Sequence, residues 1–174
     1  MKETKKLAIS AMLVALGTVI MSVGAALEVA DLTACALASL FVVLAYLELH
    51  SPYTWLIWLC TSLATALMFF GSPVWSEYFL VFGIYPIIKA YIERLPHKLW
   101  WLIKLLYINA VIWILILLVE GVLRIPVLQM EGELMAVILY VLINVSFVAY
   151  DLFITAMVRV YVVKWRKSFA RFFK

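Results

Sequence analysis

Residues 7–27 read LAISAMLVALGTVIMSVGAAL and contain no charged side chain. A helix that crosses the hydrocarbon core of a bilayer needs about 20 mostly apolar residues, so this run is long enough to span a membrane. Lys2, Lys5 and Lys6 precede the run and imitate the start of a signal peptide. The run is longer than an ordinary signal-peptide core, and more apolar stretches follow it, so we expect a retained first transmembrane helix.

The composition of the whole chain agrees with this first stretch. Of its 174 residues, 68% are hydrophobic and only 14% are charged, whereas a soluble domain is roughly 45–50% apolar and about 25% charged. A membrane requires every backbone polar group to be paired internally, which leaves helices or a closed barrel. The apolar runs are far longer than the ~10-residue alternating strands of a barrel, so the sequence predicts an all-α, polytopic membrane protein.

Six stretches have the length and composition of transmembrane helices. Breaks are indicated by residues 50–52, by residues 71–73 and by Pro96 with its neighbours. We therefore predict one domain, residues 1–174, that forms a six-transmembrane-helix bundle and ends in a basic cytoplasmic tail at about residues 164–174. The predicted helices cover about residues 7–26, 32–49, 53–70, 77–92, 99–119 and 134–163.

The charged residues predict how this bundle is oriented. With six spans, every Lys and Arg except Arg124 falls on the side of the two termini. Basic loops face the cytoplasm, so we expect a cell-membrane protein with both termini cytoplasmic. The same rule accounts for the net charge of +4, so we expect no nucleic-acid partner. The tail should lie on the anionic lipid surface. The acids on the outer side are Glu28, Asp31, Glu77, Glu120, Glu131 and Glu133.

Small residues in the first helix are a second informative feature. Ala11 and Ala15 are four residues apart, and Ser10 and Gly17 lie nearby. Small residues at this spacing let another helix approach closely, because dispersion contacts replace the hydrophobic drive that lipid removes. Two interpretations are open at this point: packing within the monomer, or docking to a different subunit.

The chain also resembles a known family in these features. A basic N-terminus, a first helix with Ala11 and Ala15, six spans and a similar length are typical of the substrate-binding S component of energy-coupling factor (ECF) vitamin transporters. The resemblance implies that helix 1 meets a transmembrane coupling subunit, which two cytoplasmic ATPase subunits drive. It also implies capture of a vitamin-like small molecule from the outer face. The alternative interpretation is that the chain does not transport anything and acts as a membrane scaffold in cell-envelope assembly.

Polar residues near the outer face are the candidates for binding such a molecule. Small-molecule sites are usually apolar pockets with a few convergent polar groups. Each candidate also has a structural interpretation: Trp75 as an aromatic-belt anchor, Asn109 and Asn144 as links between helices, and the acids as solvated loop charges. The excess of acidic over basic residues on the predicted outer side disfavours an anionic ligand. The predicted ligand-binding residues are Asp31, Trp75, Glu77, Asn109, Trp113 and Asn144.

Three charged residues are predicted to lie deeper, in roughly the inner third of the bilayer. They are Lys89, Lys104 and Asp151, placed by counting 1.5 Å per residue from the helix ends. Unpaired charges at this depth are expensive. We therefore predict a structural pair between Asp151 and Lys89 or Lys104. The alternatives are a proton or ion relay, or lysines that extend to the cytoplasmic surface.

Motifs of enzymes are absent from the sequence. There is no His/Cys/acid cluster with metal-ligand spacing, no nucleophile elbow and no phosphate-binding loop. Cys35 and Cys60 lie within predicted spans, where free thiols behave as small hydrophobes. We predict a protein that is not an enzyme and that holds no metal or cofactor.

Overall fold

The computed structural model describes residues 3–27, 30–121, 124 and 133–166, and nearly all of these residues are helical. Predictions made for Glu28, for Glu131 and for residues 167–174 lie outside the described residues. The helices are α1 (Glu3–Leu27), α2 (Asp31–Glu48), α3 (Ser51–Met68), α4 (Val74–Glu77), α5 (Tyr85–Ile92), α6 (His97–Gly121) and α7 (Glu133–Val160), with π-helical turns at Tyr78–Phe82 and Tyr161–Trp165.

Four helical segments in the described part of the chain are long and apolar enough to cross a membrane. They are Glu3–Leu27, Asp31–Glu48, His97–Leu118 and Val137–Trp165. The predicted all-helical fold is confirmed, and these segments are compatible with a membrane location. The third predicted span, α3 (Ser51–Met68), is not among these four segments. The count of six spans and the orientation of the termini stay predictions.

The predicted orientation can be tested by cysteine labelling. In a background with Cys35→Ala and Cys60→Ala, we expect Glu131→Cys to react with a membrane-impermeant maleimide in intact cells, because its loop is predicted to lie outside. Lys174→Cys should react only after the cells are opened. Labelling of Lys174→Cys in intact cells, or protection of Glu131→Cys in them, would contradict the predicted topology.

The first three helices pack against one another along small residues of α1. Ser10, Gly17 and Gly24 are seven residues apart, or about two turns, so they share one face, and all three are buried. A Cβ at Gly17 would lie 3.3 Å from Cγ2 of Thr61 in α3, and a Cβ at Gly24 would collide with Cβ of Ala34 in α2. The interior face of α1 therefore depends on these small residues for close helix contact.

Residues 77–92 do not form the single helix that we predict. The chain instead passes through α4, the π-helical turn Tyr78–Phe82, an interruption of the helical hydrogen bonds at Gly83 and Ile84, and then α5, although the backbone angles of both residues stay helical. Pro86 explains part of the break, because proline has no N–H to donate to the carbonyl four residues earlier. That carbonyl, on Phe82, accepts a hydrogen bond from the Tyr150 hydroxyl at 2.9 Å.

Two more side chains hold this π-helical turn in place. The Trp58 indole of α3 donates to the Phe79 carbonyl at 3.1 Å, and the Tyr107 hydroxyl of α6 donates to the Leu80 carbonyl at 2.6 Å. Together with Tyr150 of α7, aromatic donors from three helices therefore satisfy carbonyls of the turn. Short π-helical segments are frequent at functional sites, and this one contributes Tyr78 to the candidate site described below.

The packing of this turn leads to a stability prediction at Gly83. A Cβ there would lie 2.7 Å from Cδ1 of Trp58 and 2.8 Å from Cε1 of Tyr78. We expect Gly83→Ala to cost about 1–3 kcal/mol of stability, the usual range for overpacking, measured by thermal unfolding of the purified protein in detergent. Gly71→Ala is the control, because a Cβ at Gly71 meets nothing within 4 Å. Equal losses in the two variants would contradict the described packing.

Candidate functional site

Two of the predicted ligand-binding residues form a link between α6 and α7. Asn109 Nδ2 lies 3.5 Å from Asn144 Oδ1, and the Tyr140 hydroxyl donates to Asn109 Oδ1. Each amide also donates to the carbonyl four residues before it, Asn109 to Leu105 at 2.8 Å and Asn144 to Tyr140 at 3.0 Å. These contacts favour the interpretation that the two amides join the helices, and a role in ligand binding stays a prediction.

The two predicted tryptophans have different surroundings. The Trp75 indole donates to the Phe70 carbonyl at 3.1 Å and stacks on the Phe70 ring at a centroid distance of 5.8 Å. Trp75 therefore fixes the connection between α3 and α4. Trp113 is 59% exposed, which favours a ring that faces lipid over the desolvated ligand anchor that we predict.

The predicted acids Asp31 and Glu77 lie within electrostatic range of the buried Cys35. Asp31 begins α2, Glu77 ends α4, and each interacts electrostatically with the fully buried Cys35 and with the other. The Cys35 thiol lies 3.7 Å from the Val74 carbonyl. The Glu77 Oε2 atom is buried and has no hydrogen-bond partner among the described residues. Glu77 is therefore not a solvated loop charge, which was the alternative interpretation from the sequence.

Two buried hydroxyls that are not among the predicted ligand-binding residues belong to the same part of the protein. Tyr78 follows Glu77, is 0% exposed and interacts with both Cys35 and the Thr61 hydroxyl. Neither the Tyr78 nor the Thr61 hydroxyl makes a hydrogen bond of normal geometry to any described residue. A buried polar atom without a partner is uncommon and calls for an explanation.

Thr61 is unusual when it is compared with its neighbours in α3. Thr54, Ser62 and Thr65 each donate to the carbonyl four residues earlier, at 3.2, 2.8 and 2.8 Å. This local bond is the usual way in which a helix satisfies a hydroxyl. The Thr61 side chain does not make it, although the residue is only 1% exposed. Its oxygen instead interacts with the Tyr78 hydroxyl.

We call this group of side chains the outer polar cluster, because the predicted orientation places it on the outer side of the bundle. It draws on α2, α3, α4 and the π-helical turn, and it presents oxygens that can accept hydrogen bonds. Leaving such atoms unpaired costs about 1–3 kcal/mol each. The members of the cluster are Asp31, Cys35, Thr61, Glu77 and Tyr78, and the oxygens of the last three include one each that makes no hydrogen bond of normal geometry to a described residue.

The predicted inner charges meet in a second buried group. Lys104 Nζ lies 2.9 and 3.0 Å from the two carboxylate oxygens of Asp151, and Lys89 Nζ also contacts that carboxylate. Both lysines are buried. They therefore do not extend to the surface, which was one of the alternatives.

Two residues that we did not predict complete this inner charge network. The Tyr85 hydroxyl donates to Asp151 at 2.6 Å, and the Glu93 carboxylate lies 3.0 Å from Lys89 and 3.2 Å from Lys104. Two lysines thus face two acids, and the network joins α5, α6 and α7. The four-residue spacing of Lys89 and Glu93 was a sequence signal for that contact.

The predicted docking residues lie on the outside of the described bundle. Ala11 and Ala15 are both exposed, whereas Ser10, Leu13 and Gly17 on the same helix are buried. The interpretation that Ala11 and Ala15 serve packing within the monomer therefore does not fit the structure. Docking to a different subunit stays a prediction.

Comparisons with known proteins give no further information about either site. No family model, no curated protein and no solved structure matches the chain. In the described part of the chain, no group of three or more His, Cys, Asp or Glu side chains is arranged to hold a metal ion. Function therefore has to be argued from the three features above: the exposed face of α1, the outer polar cluster and the inner charge network.

Proposed function

We propose that this chain is the substrate-binding membrane subunit of an ECF-type importer for a vitamin-like small molecule, energised by separate ATPase subunits. The observation that carries the proposal is the exposure of Ala11 and Ala15 on α1. It adds to the sequence resemblance, which rests on the same two residues.

The exposed face of α1 has the shape that an approaching helix needs. The exposed neighbours of Ala11 and Ala15 include the large Leu7, Met12 and Leu16 and the small Ala8. Two alanines among larger side chains form a shallow groove along the helix. Lipid chains make few contacts in such a groove, whereas a second helix can bring its backbone into close van der Waals contact there. The proposed occupant is a helix of the transmembrane coupling subunit.

Contacts at both ends of α1 fix this groove relative to the rest of the protein. At one end, the Tyr53 hydroxyl of α3 donates to Glu3, and Lys6 lies 2.8 Å from Glu3. At the other end, Gly24 packs closely against Ala34 of α2. The helix therefore presents Ala11 and Ala15 in a fixed direction, so little ordering free energy is lost when a partner binds.

The outer polar cluster is the part of the protein that we propose for substrate capture. Buried oxygens in an otherwise apolar bundle are the polar groups that fix the orientation of a small molecule. Thr61 of this cluster packs against Gly17 of α1. A ligand at the cluster would therefore lie close to the inner face of α1, the helix whose outer face carries Ala11 and Ala15.

The inner charge network is proposed to have a structural role in this account. Its charges balance, and it ties together α5, α6 and α7. The rings of Tyr107, Phe147 and Tyr150 lie around Tyr85, and they supply an aromatic wall rather than a longer polar path. A relay of protons or ions needs such a path.

Mass spectrometry and uptake assays test the proposal. The protein is purified from native membranes, and the small molecules that it retains are identified. Uptake of the labelled compound is then measured in cells with and without this gene. We expect uptake to require both the gene and ATP. Equal uptake in both strains, with the compound still bound to the purified protein, would contradict an importer function.

A further inference from the structure

The link between α6 and α7 leaves two primary amides at the surface of the described bundle. Asn109 is the middle residue of α6 (His97–Gly121), and it contacts Asn144 of α7. Both side chains are only half-buried. Hydrocarbon offers no hydrogen bonds, so a polar group that faces lipid near the middle of a transmembrane helix is costly. The position of these amides therefore calls for a polar partner from outside the chain.

The Asn144 amide has hydrogen-bonding capacity for such a partner. A primary amide has two N–H donors and an oxygen with two lone pairs. In the described part of the chain, Asn144 Nδ2 donates to the Tyr140 carbonyl at 3.0 Å. Asn144 Oδ1 lies 3.5 Å from Asn109 Nδ2, a distance beyond the usual range for a hydrogen bond. One donor and one acceptor position of Asn144 can therefore serve a second molecule.

Each amide lies in a row of exposed apolar residues that has the spacing of a helix–helix contact. Residues that advance in alternating steps of four and three share one face and pack against a neighbouring helix. The apolar members of the two rows are 54–62% exposed, except for the half-buried Val148. We call the two rows together the amide seam, which comprises Leu102, Leu106, Asn109 and Trp113 on α6 and Val137, Val141, Asn144 and Val148 on α7.

We propose that the amide seam is the interface between two copies of this chain. An amide is complementary to itself, because it both donates and accepts. Around a twofold axis, Asn144 of each copy can donate to Asn144 of the other and accept from it, which is the pairing that a symmetric interface requires. A single Asn in an apolar seam is also a common way to fix register and oligomeric state, and amides join helices within membranes.

The proposed interface leaves the docking face of α1 free. α1 packs mainly against α2 and α3, whereas α7 packs against α2 and α6, and α6 also packs against α5. The amide seam and the groove at Ala11 and Ala15 therefore lie on different helices, and one copy can use both. The inference goes beyond the proposed function and does not rest on it, since two copies can associate without any ATPase or coupling subunit.

The association test uses the purified full-length protein in phosphatidylcholine vesicles. Each chain carries one fluorophore on a C-terminal tag, and photobleaching steps are counted over a series of protein-to-lipid ratios. We expect a dimer fraction that rises with this ratio. Asn144→Leu should weaken the dimer about fivefold to thirtyfold, the usual range for a polar contact between membrane helices. Asn144→Gln keeps an amide and should retain most of the association.

Two neighbouring tryptophan substitutions separate the seam from the rest of α7. Val141 is 54% exposed and Leu142 is 57% exposed, but successive residues of a helix point about 100° apart. Val141→Trp should leave only monomers, because the ring would fill the seam. Leu142→Trp should dimerise like the unchanged protein. The melting temperature of both variants in detergent should be unchanged, which keeps the result independent of folding.

Disulfide cross-linking in native membranes identifies the occupant of the seam. In a background with Cys35→Ala and Cys60→Ala, Val141→Cys should give a cross-linked dimer of this chain under mild oxidation, and Leu142→Cys should give none. Monomers at every protein-to-lipid ratio, equal cross-linking at the two positions, or dimers that survive both Asn144→Leu and Val141→Trp would overturn the proposal. A cross-link from Val141→Cys to a polypeptide of different mass would also overturn it, because the seam would then belong to another membrane protein.

Discussion

Replacing Ala15 with tryptophan is expected to abolish productive association with the coupling subunit. Ala15 is exposed on α1 beside Ala11, and a large ring there would fill the groove that the partner helix is proposed to enter. Overpacking of a close contact costs about 1–3 kcal/mol, which corresponds to a loss of about fivefold to 150-fold in affinity. The measurement is the amount of ATPase subunit that co-purifies with the tagged variant, together with uptake in cells.

Substrate binding by the isolated subunit should survive this change. Ala15 points away from the interior face formed by Ser10, Gly17 and Gly24, so the bundle itself is not disturbed. Ala26→Trp is the matched control, because Ala26 is also exposed on α1 but lies at its other end. Normal uptake and co-purification in Ala15→Trp would show that α1 is not the docking helix.

The second large effect is expected at Asp151. Asp151→Asn leaves Lys89 and Lys104 with Glu93 as the one acid of the described network, and the side chain of Glu93 is itself 34% exposed. Breaking a buried ion pair typically costs about 3–5 kcal/mol, because a buried charge is left uncompensated. We expect a loss of this size in thermal or denaturant unfolding of the purified protein, and a lower yield from membranes.

A second substitution should restore part of that loss. Lys89→Met combined with Asp151→Asn leaves Lys104 and Glu93, so the described charges balance again. The double variant should be more stable than Asp151→Asn alone. Glu3→Gln is the control for an exposed ion pair and should cost less than about 1 kcal/mol. Strictly additive losses in the double variant would rule out a coupled network.

Hydropathy predicted most of the helices but not the interruption near Gly83. The segment from 77 to 92 is apolar enough to be taken as one helix, and a proline is tolerated in membrane helices when neighbours supply hydrogen bonds. Here the donors are Trp58, Tyr107 and Tyr150, which are distant in sequence. Gly83 and Pro86 were the local signals, but only the tertiary contacts show that the helical hydrogen-bond pattern is interrupted there.

The candidate sites were predictable to very different degrees. The contact of Asp151 with Lys89 and Lys104 could be predicted, because few charges lie deep in the membrane and each needs a partner. The unpaired hydroxyls could not, since most hydroxyls in helices bond locally and nothing in the spacing marks Thr61 as an exception. Trp113 could not be placed either, because the sequence of α6 is apolar on all sides and does not mark the face with Ile108 and Ile112 that the structure buries.

Co-purification from native membranes tests the central claim most directly. The protein carries an affinity tag, is extracted in a mild detergent, and its partners are quantified by mass spectrometry. We predict enrichment of one transmembrane coupling subunit and two ATPase subunits, and loss of all three in Ala15→Trp. Enrichment of cell-envelope assembly proteins without any ATPase subunit would contradict the importer function and favour a membrane scaffold.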